Sequence, residues 1–225
     1  QTENKQTLTV IVNQTSRENT TTTRSGNSVQ GDFVEHSSTT GTKDLHKTEE
    51  NQTSKVTIGQ EERSTIASDR TGNDILGDYD LMSTTSLTFT LEQSDLNLGK
   101  DVTGMNGGAE TTKLTKTGNA VTGDYSQTEL VTQETSKDQS GTVGPRTFTL
   151  VETSSTTTNR QESGNEITTE STTAETSTAT YSLTKSDTYP TGSDKKTVTS
   201  TSDDSTDRTA NDITGLTAIL TGPRG

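Results

Sequence analysis

Oxygen-bearing side chains recur at a glycine turn, and they are the residues of this sequence best suited to bind an ion. Asn73, Asp74 and Asp78 place amide and carboxylate oxygens close together in the chain. Hard cations such as Ca²⁺ prefer these ligands, but the spacing matches neither the helix–loop–helix calcium loop nor the nonapeptide calcium roll. Asn and Asp also favour turns without any metal. Calcium is therefore the one ion considered for this turn, and no other cofactor is expected.

Residues for transition-metal, thiol or acid–base chemistry form no recognisable set. The 225-residue chain has no cysteine, and its two histidines, His36 and His46, lie within one repeat without counterparts in the others. The adjacent carboxylates at 49–50, 61–62 and 203–204 stand in polar runs without apolar neighbours that would shift their pKa. A glycoside hydrolase needs two carboxylates a few ångströms apart on a rigid wall, and no pattern places such a pair. We therefore predict that the protein is not an enzyme.

The turn that carries the oxygens belongs to a phrase repeated at a constant interval of 46 residues. Gly–Asn is followed by an aliphatic residue, by Gly–Asp and by an aromatic residue, and no interval contains an insertion. Such self-similarity is typical of a repeat array. The frame divides the chain into a partial repeat at 1–24, repeats at 25–70, 71–116 and 117–162, a divergent repeat at 163–208 and a partial terminal repeat at 209–225.

Composition and alternation indicate strands rather than helices. Hydrophobic residues make up only 21% of the chain and aromatic residues 3%, which cannot fill an ordinary core. Thr is abundant and favours strands, and polar and apolar residues alternate at 87–91, 147–151 and 180–184. We predict an all-β, elongated repeat array with a 46-residue unit, either β-solenoid-like or built of serial small β-sheet modules.

The repeated phrase also predicts a core. The chain is expected to turn at 72–74 and to leave as a strand over 75–79, with Gly77 at a bulge or close contact. Strand alternation then puts Ile75, Gly77 and Tyr79 on one face. We predict that the aliphatic and aromatic positions line the interior of every repeat. These positions are Val29, Phe33, Ile75, Tyr79, Val121, Tyr125, Ile167 and Ile213.

Two further features concern the surface and the ends. The Thr and Ser density is typical of glycosylated stalks; sequons stand at Asn13, Asn19 and Asn51, and candidates for O-linked sugars are Thr156, Thr157, Thr172 and Thr173. N-glycosylation sequons also arise by chance in a chain rich in Thr and Asn. The segments 8–12 and 211–221 are more apolar than the rest, and each suits either a cap or strand addition to a neighbouring subunit.

The charge and hydropathy of the chain limit the kinds of partner that it can bind. The net charge of −13 disfavours nucleic acid, because phosphate binding needs clustered Lys and Arg. No apolar run is long enough for insertion of this segment into a membrane. The chain also begins without Met or an apolar signal segment, so we expect a mature product or an excerpt of a longer protein.

The segments 71–79 and 117–125, with the Thr-Phe-Thr-Leu and Tyr-Ser-Leu-Thr strands, resemble Thr-rich repeat regions of very large secreted proteins of planctomycete-type bacteria. The resemblance covers nearly the whole chain, although the fourth and fifth repeats depart from it at Glu170, Ser171 and Ala210. It implies an extracellular or cell-surface setting and a long array.

These observations predict a non-enzymatic extracellular structural protein. We expect it to self-associate into a homopolymer, as a subunit of a surface fibre or filament assembled by β-strand pairing between copies, with glycans as a further partner. The alternative is a monomeric adhesin or a spacer stalk of a larger surface protein.

Overall fold

The computed structural model describes residues 8–211 and 216–221, the latter by their backbone alone. These residues form one antiparallel sheet of ten strands, and each strand pairs with its neighbours in the sequence. The predicted all-β repeat array is confirmed. The strands are β1 (Thr9–Gly26), β2 (Asp32–Glu50), β3 (Ser54–Asn73), β4 (Asp78–Asn97), β5 (Lys100–Asn119), β6 (Asp124–Val143), β7 (Arg146–Asn165), β8 (Glu170–Tyr189), β9 (Gly192–Asn211) and β10 (Leu216–Thr221).

The strands are long because nothing in their sequences interrupts them. Strands β3 to β9 each have 20 residues, against about five or six in an average strand. Thr supplies β propensity along their whole length, and Pro145 and Pro190 lie between strands, where no ladder hydrogen bond is lost. Within the described ranges, no helix is long and apolar enough to cross a membrane.

The 46-residue repeat is one β-hairpin plus the connection to the next. The repeated phrase forms the turns at one end of the sheet, after β1, β3, β5 and β7. The connections at the other end are shorter and share no sequence; they span 51–53, 98–99, 144–145 and 190–191. The repeat therefore imposes its geometry at one end only.

The sheet has two chemically different faces, because directly paired residues point to the same side. The register places Phe33 on the same side as all six other aromatic residues of the chain, and we call this side the aromatic face. The opposite side, which carries Thr40 and Thr65, is the threonine face. The other aromatic residues are Tyr79, Phe89, Tyr125, Phe148, Tyr181 and Tyr189.

No second layer covers either face within the described part of the chain. Only Phe33, Val102 and Ala210 are buried apolar residues there. Stability must therefore come from the strand ladders and from contacts across one face, rather than from a two-layered core.

Candidate functional site: the turn ladder and the aromatic row

Each repeated turn is organised by its asparagine. In the second repeat, Oδ1 of Asn73 accepts hydrogen bonds of 2.9 Å from the backbone N–H groups of Ile75 and Leu76. The N–H of Gly77 donates to the Asn73 carbonyl at 2.8 Å. Gly77 has a φ of 83°, a value that glycine adopts at little cost. The phrase thus encodes one capped turn that ends in a left-handed glycine.

The same asparagine joins its turn to the preceding one. Nδ2 of Asn73 donates to the Gln30 carbonyl at 2.8 Å and to the Asp32 carboxylate at 2.7 Å. The N–H of Asp74 donates to the Gly31 carbonyl at 2.8 Å. Equivalent bonds join the next two pairs of turns, through Asn119 and Ala120 and through Asn165 and Glu166.

We call these linked turns, residues 27–32, 73–78, 119–124 and 165–170, the turn ladder. Its contacts have a direction, since Asn73, Asn119 and Asn165 each donate to the turn before their own. A Cβ added to Gly77 would lie 2.7 Å from Cγ2 of Val121, so the aliphatic residue of each turn packs on the glycine of the turn before. The aliphatic positions therefore serve the contact between repeats.

The predicted repeat core is wrong for the aliphatic positions. Val29, Ile75, Val121 and Ile167 are 61 to 85% exposed, because residues 74–76 form the turn and the strand starts only at Asp78. The alternation argument fails where there is no strand. Among the aromatic positions, Phe33 is buried and both Tyr79 and Tyr125 are half-buried. Ile213 lies outside the described residues.

The aromatic positions form a row across the strands, which we call the aromatic row: Phe33, Tyr79 and Tyr125. Each of these aromatic residues has a glycine as its direct partner on the strand at either side. Tyr79 pairs with Gly72 and Gly118, and the register is the same for the other two rings. The missing side chains leave the space that the rings occupy.

Basic residues fill the gaps between the rings. The guanidinium of Arg70 lies 5.3 Å from the Phe33 ring centre and 5.1 Å from that of Tyr79. The Lys116 ammonium lies 5.9 Å from the Tyr79 centre and 4.7 Å from the Tyr125 centre. These distances suit cation–π attraction. A hydrogen bond from Lys116 to Glu166 raises the pKa of the lysine, against the opposing effect of burial.

The row ends where the third repeat meets the fourth. Glu162 replaces the basic residue and accepts a 2.6 Å hydrogen bond from the Tyr125 hydroxyl. Burial and this carboxylate raise the pKa of Tyr125 to about 12. Ser171 replaces the next ring, and its direct partner on β9 is Ala210 instead of glycine. Where the ring is lost, the glycine that accommodates it is lost as well.

Extending the repeated phrase by two residues toward the N-terminus would have found this row. The position two residues before the Gly–Asn of each unit, or before Ala210–Asn211 in the last, holds Arg24, Arg70, Lys116, Glu162 and Arg208. It is basic in four of the five units, and it lies two residues from the glycine along the strand, on the same face.

The candidate calcium ligands have separate partners. Asp74 accepts a 2.7 Å bond from Arg24 of strand β1, and Asp78 accepts a 2.6 Å bond from Asn119 of the following repeat. The side-chain amide of Asn73 accepts a hydrogen bond within its own turn and donates one to the preceding turn. Within residues 8–211 and 216–221, no three metal-ligating side chains cluster. The same arrangement lowers the pKa of Asp124, chiefly through the hydrogen bond from Asn165.

The other residues with catalytic or ligand chemistry are also dispersed. Nδ1 of His36 lies 2.5 Å from a carboxylate oxygen of Asp69. His46 is ten residues further along the same strand, at the rim of a shallow groove of about 530 Å³. The adjacent carboxylates Glu49 and Glu50 lie next to each other on β2 and so point to opposite faces. The same holds for the pairs at 61–62 and 203–204.

A buried acidic residue at the opposite end of the sheet was not predicted. Asp187 is 7% exposed and accepts a bond from Arg146, while Lys185 contacts its other carboxylate oxygen at 3.0 Å. The two cations lower the pKa of Asp187, with Arg146 the larger cause. Arg146 also lies over the Phe148 ring at 5.3 Å. No sequence repeat marks this cluster.

The candidate glycosylation residues differ in accessibility. Asn13 and Asn19 are exposed on β1, whereas Oδ1 of Asn51 is bonded within the turn at 51–53. Thr157 and Thr172 are exposed on the threonine face. Their neighbours Thr156 and Thr173 are half-buried on the aromatic face.

Hydroxyl groups on the threonine face form rows across the strands. One row crosses seven consecutive strands with a Thr or Ser in every one: Thr40, Thr65, Ser86, Thr111, Thr132, Thr157 and Thr178. A second row of the same length runs from Thr48 to Ser186. Neighbouring hydroxyls in a row are therefore about one strand spacing, ~4.8 Å, apart.

Comparison of the chain with family models, with curated proteins and with solved structures found no match.

Proposed function

We propose that this chain is a non-enzymatic structural protein of an extracellular or cell-surface fibre, in which repeats of neighbouring copies join by strand pairing. The observation that carries the proposal is the turn ladder. The first four turns are joined in succession by the same three hydrogen bonds, so the contact can be continued without a change of geometry. A head-to-tail contact of this kind gives an open array rather than a closed ring.

The free edge of the sheet supports the proposal. Strand β1 has 18 residues, and all of them are exposed. Its outer backbone groups have no strand to pair with in the described part of the chain. A long uncovered edge without proline is suited to pairing with another chain. Leu8, Val10, Ile11 and Val12 are 48 to 61% exposed at its start.

The threonine face supports a coat of O-linked sugars as a further part of the proposed function. The first hydroxyl row is exposed at Thr157 and Thr178, and Thr172 is exposed on the same face. Sugars at these positions would project from one face and leave the edges of the sheet free to pair. A resident metal or other cofactor is not part of the proposal.

The proposal is tested by electron microscopy of purified native material together with its intact mass. Because the strands lie across the array, we expect filaments with a spacing of about 4.8 Å along their axis. A mass above the 24.0 kDa of the polypeptide would support the sugar coat. Isolated rods at the bare polypeptide mass would contradict both parts and favour the spacer stalk.

A further inference from the structure

The first described turn lacks the contacts that the later turns make with a preceding repeat. Asn73, Asn119 and Asn165 are half-buried and donate to the turn before them, but Asn27 is exposed. Its Nδ2 donates instead to the side chain of Gln30, at 3.1 Å. The N–H of the next residue, Ser28, has no backbone partner within residues 8–211.

The aromatic row is incomplete at the same edge. Gly72 and Gly118 are half-buried because a ring from the preceding repeat covers each of them. Gly26 is exposed, and the atoms nearest to an added Cβ there are the Asp32 carbonyl oxygen and Cα and Cβ of Phe33, with no ring of another repeat among them. Arg24 likewise lies over one ring, whereas Arg70 lies between two.

These unmatched groups specify the partner that would complete the edge. The donors at Asn27 and Ser28 need a carboxylate and a carbonyl, which Asp and Gly supply in the first three turns. The space over Gly26 and beside Arg24 fits an aromatic ring. In the last repeat, Leu216 and Thr217 stand at the positions of the aspartate and the ring.

We infer that the β1 edge is a docking site for a further 46-residue repeat whose turn carries Gly–Asp followed by Phe or Tyr. The inference rests on the proposed function and refines it, since it gives the array a direction and names the residues that select the next repeat. Asn27 and Ser28 bind the turn, Gly26 and Arg24 receive the ring, and β1 pairs with the first strand after that turn.

The test joins a copy of residues 54–99 to residue 8 of the full chain, which continues the 46-residue frame without a linker. The copied segment brings Gly77, Asp78 and Tyr79 to the β1 edge. Its matched control carries Asp78→Leu and Tyr79→Thr in the copied segment only, which reproduces the residues at these positions in the last repeat. Amide hydrogen exchange along β1 and the midpoint of urea unfolding are measured for both.

With the unaltered copy we expect β1 amides to exchange at least about tenfold more slowly than in the parent chain, because pairing protects them. The control copy, or Asn27→Ala in the parent part, should lose most of that protection. Equal protection with both copies would overturn the inference, as would no protection with either. Filaments of the native protein that persist with Asn27→Ala would also overturn it while leaving the proposed function standing.

Discussion

The ring of Tyr79 lies against Gly118 of the neighbouring strand, and a Cβ added to that glycine would be 2.8 Å from Cζ of the ring. This contact recurs along the aromatic row and takes the place of the core of a two-layered protein. The ring packs against the next repeat, which would otherwise be held here only by the backbone hydrogen bonds of the strand ladder.

Adding a methyl group at this contact should therefore destabilise the sheet. We expect Gly118→Ala to lower the free energy of unfolding by about 1–3 kcal/mol, because the ring must move. Gly104→Ala is the matched control on the same strand and face, where the nearest atom to the added Cβ is 3.6 Å away. Adding Tyr79→Ser should recover part of the loss, as the natural pair Ser171 and Ala210 suggests. Urea denaturation measures all three, and equal losses for Gly118→Ala and Gly104→Ala would contradict the steric explanation.

A side chain at Gly77 should break the turn ladder. Gly77→Val imposes a φ near 83° on a β-branched residue and drives its side chain into Val121. We expect a loss of more than about 2 kcal/mol, the sum of backbone strain and overpacking. Gly59→Val is the control, since Gly59 lies in a strand with no atom within 4 Å of an added Cβ. Protease resistance that is unchanged by Gly77→Val would count against this account.

The fourth repeat contains a position that substitution should improve. Thr169 has a φ of 56° where the first three repeats have glycine, and it is the one non-glycine residue with a positive φ in the described ranges. Glycine relieves this strain but loses more backbone entropy on folding than threonine does. We therefore expect Thr169→Gly to raise the free energy of unfolding by only about 0.5–1 kcal/mol. Calorimetry would show a higher unfolding temperature. A lower one would mean that contacts of the Thr169 side chain outweigh the strain.

Removing a cation from the aromatic row should weaken the link between repeats. Lys116→Met keeps the length of the side chain but loses the attraction to two rings and the 2.7 Å ion pair with Glu166. The loss should be about 1 kcal/mol, the size of a cation–π contact near the surface. Lys113→Met on the threonine face of the same strand should change stability by less than about 0.5 kcal/mol. Similar losses for the two variants would show that general charge, rather than the row, is responsible.

The ion pairs of Asp187 should make the free energy of unfolding depend on pH. Its pKa is lowered in the folded protein, so it stabilises the fold above the ordinary value of 3.8 and loses that effect as the pH falls below it. The difference in free energy of unfolding between the wild type and Asp187→Asn should therefore be largest near neutral pH and shrink in acid. Removing the paired cation with Arg146→Met should reduce this pH dependence, because Arg146 is the larger cause of the lowered pKa of Asp187. A difference that is constant with pH would exclude the ion pairs as its cause.

The strands and the repeat length were predictable, while the way in which the repeats join was only partly so. Alternation located segments that lie inside β4, β7 and β8, because long Thr-rich strands keep their period. The alternation predicts a strand at Ile75, but Ile75 is exposed in a turn. A turn inside an alternating phrase interrupts the strand while the sequence pattern continues. The contacts of Asn73 with Asp32 could not be predicted from one repeat, since they join residues 41 apart through the register of the sheet.

The register of the hairpins also has a mechanical consequence. A pull along the array would load the ladders one at a time, so the strands would peel apart in sequence instead of shearing together. Each 46-residue unit occupies two strand spacings, about 10 Å, along the array. It would release about 150 Å of chain when it opens. A fibre of such hairpins would lengthen stepwise under load and refold when slack, and single-molecule stretching would show steps of this size.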